Sequence, residues 1–263
     1  MPSAAQFITF FQAVSIIGSG LTAFKLFTSG LYRRYRIFFA YFVFRVPYMT
    51  VALVLGTGNG TRSLNYFYLF IYSEPFLLLA YILVVIELYR LVLERYKGLY
   101  TLGRWAMYGA TVISGTVSFL LLLPKIAPST SDDSKWLFYE VGVERGVDLA
   151  LVIFILLIVW FLSKYPVPLS RNVVIHTAIY SVFFLSDALV LLWRTMLGSE
   201  VEVSFNVLAT AISSACSLAW WLMLSAEGEE VKAQSPQLRP ESEERIMQQL
   251  DLINATLLKV AKK

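Results

Sequence analysis

The chain has 263 residues, 57% of them hydrophobic and only 15% charged, against about 25% charged in an ordinary soluble domain. The net charge of +4 is spread over loops between apolar runs and gathers on no basic face, so a soluble enzyme and a nucleic-acid binder are both excluded as first readings. The expected surrounding is a lipid bilayer.

Seven apolar stretches follow one another at 5–27, 37–56, 66–89, 101–123, 138–162, 173–197 and 203–224. A helix rises about 1.5 Å per residue and the hydrocarbon core is roughly 30 Å thick, so about 20 apolar residues make one crossing. The runs are apolar almost all round, as lipid-facing helices are. This predicts an all-α, seven-transmembrane helix bundle over residues 1–224, a linker at 225–240, and a short amphipathic or coiled-coil helix at 241–263. The first stretch has no positively charged leader and no small-residue cleavage site, so it reads as an anchor and not as a signal peptide.

Loop charge sets the expected orientation. Arg33, Arg34 and Arg36 follow the first span; Arg90, Arg95, Lys97 and Arg104 flank the third loop; Lys164 and Arg171 follow the fifth span. The alternate loops hold Arg62, then Lys125 and Lys135 beside Asp132 and Asp133, then Glu200 and Glu202. The positive-inside bias puts the basic set in the cytoplasm, with the N-terminus outside and the C-terminus cytoplasmic, in a multi-pass protein of the plasma membrane.

Ionisable residues within the spans are the candidates for function, because a charge near the bilayer centre costs from about 2.5 kcal/mol upward and must face protein or water. In chain order, Arg45 lies two residues before Pro47 in the second span, and Glu74 directly precedes Pro75 in the third. The fifth span carries Glu140, Glu144, Arg145 and Asp148, whose acidic members recur every four residues and so share one face. The sixth carries His176, Asp187 and Arg194. Glu140, Arg194 and His176 sit near span ends and read as interfacial, solvated or backbone-bonded residues. Arg45, Glu74, Glu144, Arg145, Asp148 and Asp187 would line a polar cavity open to the outside; structural ion pairing between helices is the competing account of the same residues.

Small polar residues add packing cues. Asn206, Thr210, Ser213 and Ser217 fall on one face of the seventh span, as Ala110, Ser114 and Ser118 do on the fourth, which points to close helix contact and interhelical hydrogen bonds. In the tail, Ile246, Leu250, Ile253, Leu257 and Val260 follow at spacings of four and three, with Glu241, Glu243 and Glu244 before them and Lys259, Lys262 and Lys263 at the end. This is a short coiled-coil seam, suited to a homo-oligomer or a cytoplasmic partner; an amphipathic helix on the inner leaflet fits the same pattern.

Several activities lack their residues. The seventh span has no lysine for a retinal Schiff base. Glu94-Arg95-Tyr96 resembles the acidic-Arg-Tyr triplet of G-protein-coupled receptors, yet the seventh span has no Asn-Pro-x-x-Tyr, the sixth has no proline, and the lone Cys216 cannot form an outer disulfide. Seven-span sugar transporters carry prolines in corresponding spans of two repeats, whereas here spans two and three have them and five to seven do not. With one histidine and one cysteine, and no phosphate loop, zinc motif or nucleophile elbow, no metal or other cofactor is expected. The expectation is a receptor-like or scaffold protein without catalysis; the alternative is a proton- or cation-coupled transporter or channel using the intramembrane carboxylates.

Overall fold

The computed structural model describes residues 4–58, 64–93, 169–197 and 202–230, with scattered residues between 101 and 116, 146 and 160, and 248 and 256. Ala4–Thr28 forms α1, Arg36–Gly58 α2, Leu64–Val92 α3, Arg171–Leu197 α4 and Glu202–Met223 α5. All five are long and apolar enough to cross a membrane. They correspond to the expected first, second, third, sixth and seventh spans, and no strand occurs among the described residues. The expected spans at 101–123 and 138–162 fall largely outside the described residues, although 150–156 are helical.

The helices form a closed circuit in which α5 packs on α1, α1 on α2, α2 on α3, α3 on α4 and α4 on α5. The joint between α3 and α4 is the thinnest. The helical residues 150–156 approach it, with Phe154 against Tyr89 of α3 at 5.0 Å between ring centroids. Outside the circuit, Phe24, Val54, Tyr72, Phe76 and Leu222 are exposed, as lipid-facing residues should be. Because lipid tails are as apolar as these side chains, helix association must come from close packing and interhelical hydrogen bonds.

The α1–α5 joint has both. Ser15, Ser19 and Thr22 of α1 and Ser214 and Ser217 of α5 are buried in it. Thr22 donates to the Ser217 carbonyl at 3.1 Å, and Ser214 donates to the Phe11 carbonyl at 2.6 Å. Gly18 lets the backbones close up, since a Cβ there would sit 3.3 Å from the Leu218 nitrogen. The packing role expected of the seventh-span polar stripe is therefore seen in Ser217, helped by Ser214 and by an unforeseen partner stripe on α1.

Helix ends at one side of the bundle are capped across the circuit. We call this the tail-side end; it carries residues 29–35 and 224–230. Gly30, at φ +72°, ends the chain's run out of α1 in the left-handed conformation that glycine adopts without cost. Lys25 of α1 donates Nζ to the Trp221 carbonyl at 2.6 Å, placing a cation on the C-terminal carbonyls of α5. The residues before α2 are Arg33, Arg34 and Tyr35, none of which can cap it as Ser, Thr, Asp or Asn would. Glu87 of α3 supplies the missing acceptor, taking the N–H groups of Ile37 at 3.1 Å and Phe38 at 3.0 Å. The helix that carries it runs on to Val92, past the expected end of its span at 89.

Candidate functional site

Arg45 sits about two and a half turns into α2, on the face turned to α1 and α5, and is 5% exposed. Its guanidinium donates from Nη1 to the Tyr41 hydroxyl at 2.6 Å and from Nη2 to the Ser213 hydroxyl of α5 at 2.7 Å. Nη2 also reaches the Ser15 hydroxyl of α1 at 3.5 Å, and Nε meets the Met49 sulfur at 3.3 Å. The rings of Tyr41 and of Phe183 on α4 lie 5.5 Å and 5.6 Å from the guanidinium carbon. One cation thus ties four helices together. Each hydrogen bond to a charged group contributes about 1.5–3 kcal/mol, enough for the two short ones to offset an insertion cost of about 2.5–3.5 kcal/mol.

Two of the predicted carboxylates belong to the same neighbourhood. Asp187 of α4 lies within electrostatic reach of Arg45, Tyr41 and Tyr81. Tyr81 of α3 rests on Tyr41 with ring centroids 5.4 Å apart. Glu74, buried two turns further along α3, acts on Tyr81 and on Tyr66. Arg45 and Asp187 therefore share the Tyr41–Tyr81 pair, with Glu74 lying farther from the tail side on α3. Glu144, Arg145 and Asp148 lie outside the described residues, so their place beside this pair rests on the sequence pattern alone. Among the described residues no group of His, Cys, Asp and Glu has the arrangement of a metal site.

Towards the tail side the polar neighbourhood stops at an aromatic layer. Phe38 and Phe42 of α2, Tyr180 and Phe184 of α4, and Trp220 of α5 are all fully buried there. Phe38 meets Trp220 edge-on at 5.4 Å, and Tyr180 meets it at 4.8 Å. His176 belongs to this layer, which corrects its expected role as a solvated or backbone-bonded residue. It is enclosed by Tyr35, Phe38, Tyr180 and Trp220, and its Nδ1 has no hydrogen-bond partner among the described residues. The sequence shows it one turn inside α4, but not that four rings from three other segments and its own helix close over it.

Beyond the layer, at the tail-side end, a polar latch holds the chain that leaves α5. The carboxylate of Glu229 accepts from the Tyr35 hydroxyl at 2.5 Å and from Asn172 Nδ2 at 2.9 Å, and it pairs with Arg34 Nε at 3.0 Å. Asn172, at the start of α4, also donates to the Ser225 carbonyl at 2.6 Å and accepts from the Ser225 N–H at 3.3 Å. Gly228 lies flat on it: a Cβ there would fall 2.3 Å from Asn172 Oδ1. The Tyr35 hydroxyl titrates well above the ordinary tyrosine range, first because it is buried and then because Glu229 accepts its proton. None of Tyr35, Asn172 and Glu229 stands out in the sequence, since each is an ordinary residue for a loop or helix end.

Of the tail seam, Ile253 lies in the helical residues 251–256 and is exposed. Ile246, Leu250, Leu257 and Val260 lie outside the described residues. Comparison with protein-family models, curated proteins and solved structures returns no match.

Proposed function

We propose that the chain is a receptor-like or scaffold membrane protein without catalysis, which holds a small ligand or partner in a polar recess entered from the end opposite the tail. Arg45, Glu74 and Asp187 would face that recess, joined by Glu144, Arg145 and Asp148 of the adjoining predicted span. In this reading the tail-side end is cytoplasmic in the plasma membrane, and the helix at 241–263 assembles copies or meets a cytoplasmic partner. The observation that supports binding over passage is the aromatic layer: Phe38, Phe42, Tyr180 and Trp220 are 0% exposed between the Arg45 neighbourhood and the tail-side end. A transported ion would need a wetted path there, and the rings close on one another, Phe38 on Trp220 at 5.4 Å and Tyr180 on Trp220 at 4.8 Å.

Cysteine accessibility tests this directly, since Cys216 is the only native thiol. In a Cys216→Ser background, Glu74→Cys and Asp187→Cys should react with a membrane-impermeant thiosulfonate applied opposite the tail, and Phe42→Cys should stay inert from either side. Reaction of Phe42→Cys, or of Asp187→Cys from the tail side, would replace binding by a proton- or cation-coupled pathway. Inert cysteines at both 74 and 187 would remove the recess and leave the charges as helix ties.

A further inference from the structure

The turn between α1 and α2 carries two arginines whose forks are not used by the protein. Arg33 touches its neighbour Tyr32 through Nε, at 3.3 Å from the hydroxyl, and its guanidinium lies over that ring at 5.8 Å. Arg36 uses Nε to donate to the Arg33 carbonyl at 3.1 Å. Both side chains are exposed, and neither has a carboxylate within ion-pair distance among the described residues. Their neighbours differ on this point: Arg34 is taken by Glu229 and Arg90 lies 3.9 Å from Glu87. Two guanidinium groups, each with its terminal N–H donors free, are thus fixed three residues apart on one exposed turn.

The same turn presents an apolar bed beside those forks. Phe27, Tyr32 and Phe39 form a ladder of rings, with Phe27 on Tyr32 at 5.5 Å, Tyr32 on Phe39 at 5.8 Å and Phe27 on Phe39 at 6.4 Å. Phe27 is 60% exposed at the last turn of a membrane helix, so the ladder lies where acyl chains meet headgroups. Guanidinium forks match phosphate oxygens in a bidentate way, and basic groups just outside a span attract anionic lipid. We infer that Arg33 and Arg36 bind the phosphate of an anionic phospholipid, with one of its acyl chains lying along Phe27 and Phe39. The lipid is held here as a ligand of the turn, and it neutralises a charge pair that the protein leaves open.

Native mass spectrometry of the full chain, released from nanodiscs of mixed phosphatidylcholine and phosphatidylglycerol, reads this out. The wild type should retain phosphatidylglycerol with an about thirtyfold preference, the scale that two basic contacts at a lipid surface give. Arg33→Gln/Arg36→Gln should lose most of that preference, Arg33→Lys/Arg36→Lys should keep part of it, and Arg171→Gln at the same end should leave it unchanged. These exposed changes spare the core, and an unaltered melting temperature confirms folding. A preference that survives the double glutamine variant, or falls equally with Arg171→Gln, overturns the site. Displacement of the lipid by millimolar inorganic phosphate would make it a free-anion site instead.

Discussion

Arg45 and Glu229 each hold several segments of the chain together, but they do so in opposite ways. Arg45 is a cation in the membrane interior whose short hydrogen bonds all go to neutral hydroxyls, those of Tyr41 and Ser213. Glu229 is an anion at the bundle's end, met by one cation, Arg34, as well as by Tyr35 and Asn172. The interior junction joins four helices through a single guanidinium. The end latch joins a connecting segment to helices that are already packed. Losing the first should cost global stability, whereas losing the second should free only the segment that leads to the tail.

The largest effect is expected at Arg45. Arg45→Met removes the donor to Tyr41 and Ser213 and the cation within electrostatic reach of Asp187, and breaking a buried charged arrangement costs about 3–5 kcal/mol. Unfolding of the detergent-solubilised protein should shift accordingly. Asp187→Asn placed on top of Arg45→Met should recover part of the loss, with a coupling energy of about 0.5–3 kcal/mol for groups in one network. Strict additivity would mean that Asp187 does not balance Arg45. The contrast with the latch would then rest on hydroxyls alone.

A smaller and more local effect is expected at Gly228. Alanine there must displace Asn172, because its Cβ would meet Oδ1 at 2.3 Å; overpacking of this kind costs about 1–3 kcal/mol. The strain can be relieved by lifting residues 225–230 off the bundle. Tryptic cleavage after Lys232 should therefore quicken by roughly tenfold, which is what about 1.4 kcal/mol of local opening gives, while the global unfolding midpoint stays put. A fall in the midpoint with unchanged cleavage would make the latch part of the core, and the distinction between the two regions would collapse.

How much of this could be read from residues alone differs between the two places. The length of apolar runs announces α1, α2, α3, α4 and α5, because bilayer thickness imposes it on the chain. Arg45 and Ser213 are each visible too, one as a misplaced charge and the other as a member of a polar stripe. Their meeting is not visible, since spacing along a helix fixes a face but not which helix lies opposite. Glu87 had a readable cue in the lack of any capping residue at 33–35, although that absence does not name the acceptor. The latch left no cue at all: Tyr35, Asn172 and Glu229 are brought together only when the starts of α2 and α4 meet the segment after α5, and that convergence is a property of the packed bundle.

The mildest test separates the latch's hydrogen bond from its ion pair. Tyr35→Phe removes one donor to Glu229 and keeps Arg34 and Asn172, so the loss should be about 1.5 kcal/mol, the low end for a hydrogen bond to a charged group. A nitroxide at position 230, attached through Glu230→Cys in the Cys216→Ser background, should become slightly more mobile at neutral pH. The wild-type hydroxyl titrates above the ordinary tyrosine value of 10.0, because burial and Glu229 favour its protonated form. Its contribution is therefore fully present below about pH 10 and is lost as pH rises through the higher folded-state value. Nitroxide mobility in the wild-type background should stay flat from about pH 6 to 9 and climb only in stronger alkali, with that climb missing in Tyr35→Phe. Equal mobility of the two at neutral pH would assign the latch to Arg34 and Asn172, making it a charge-and-amide clasp to which the tyrosine merely lies adjacent.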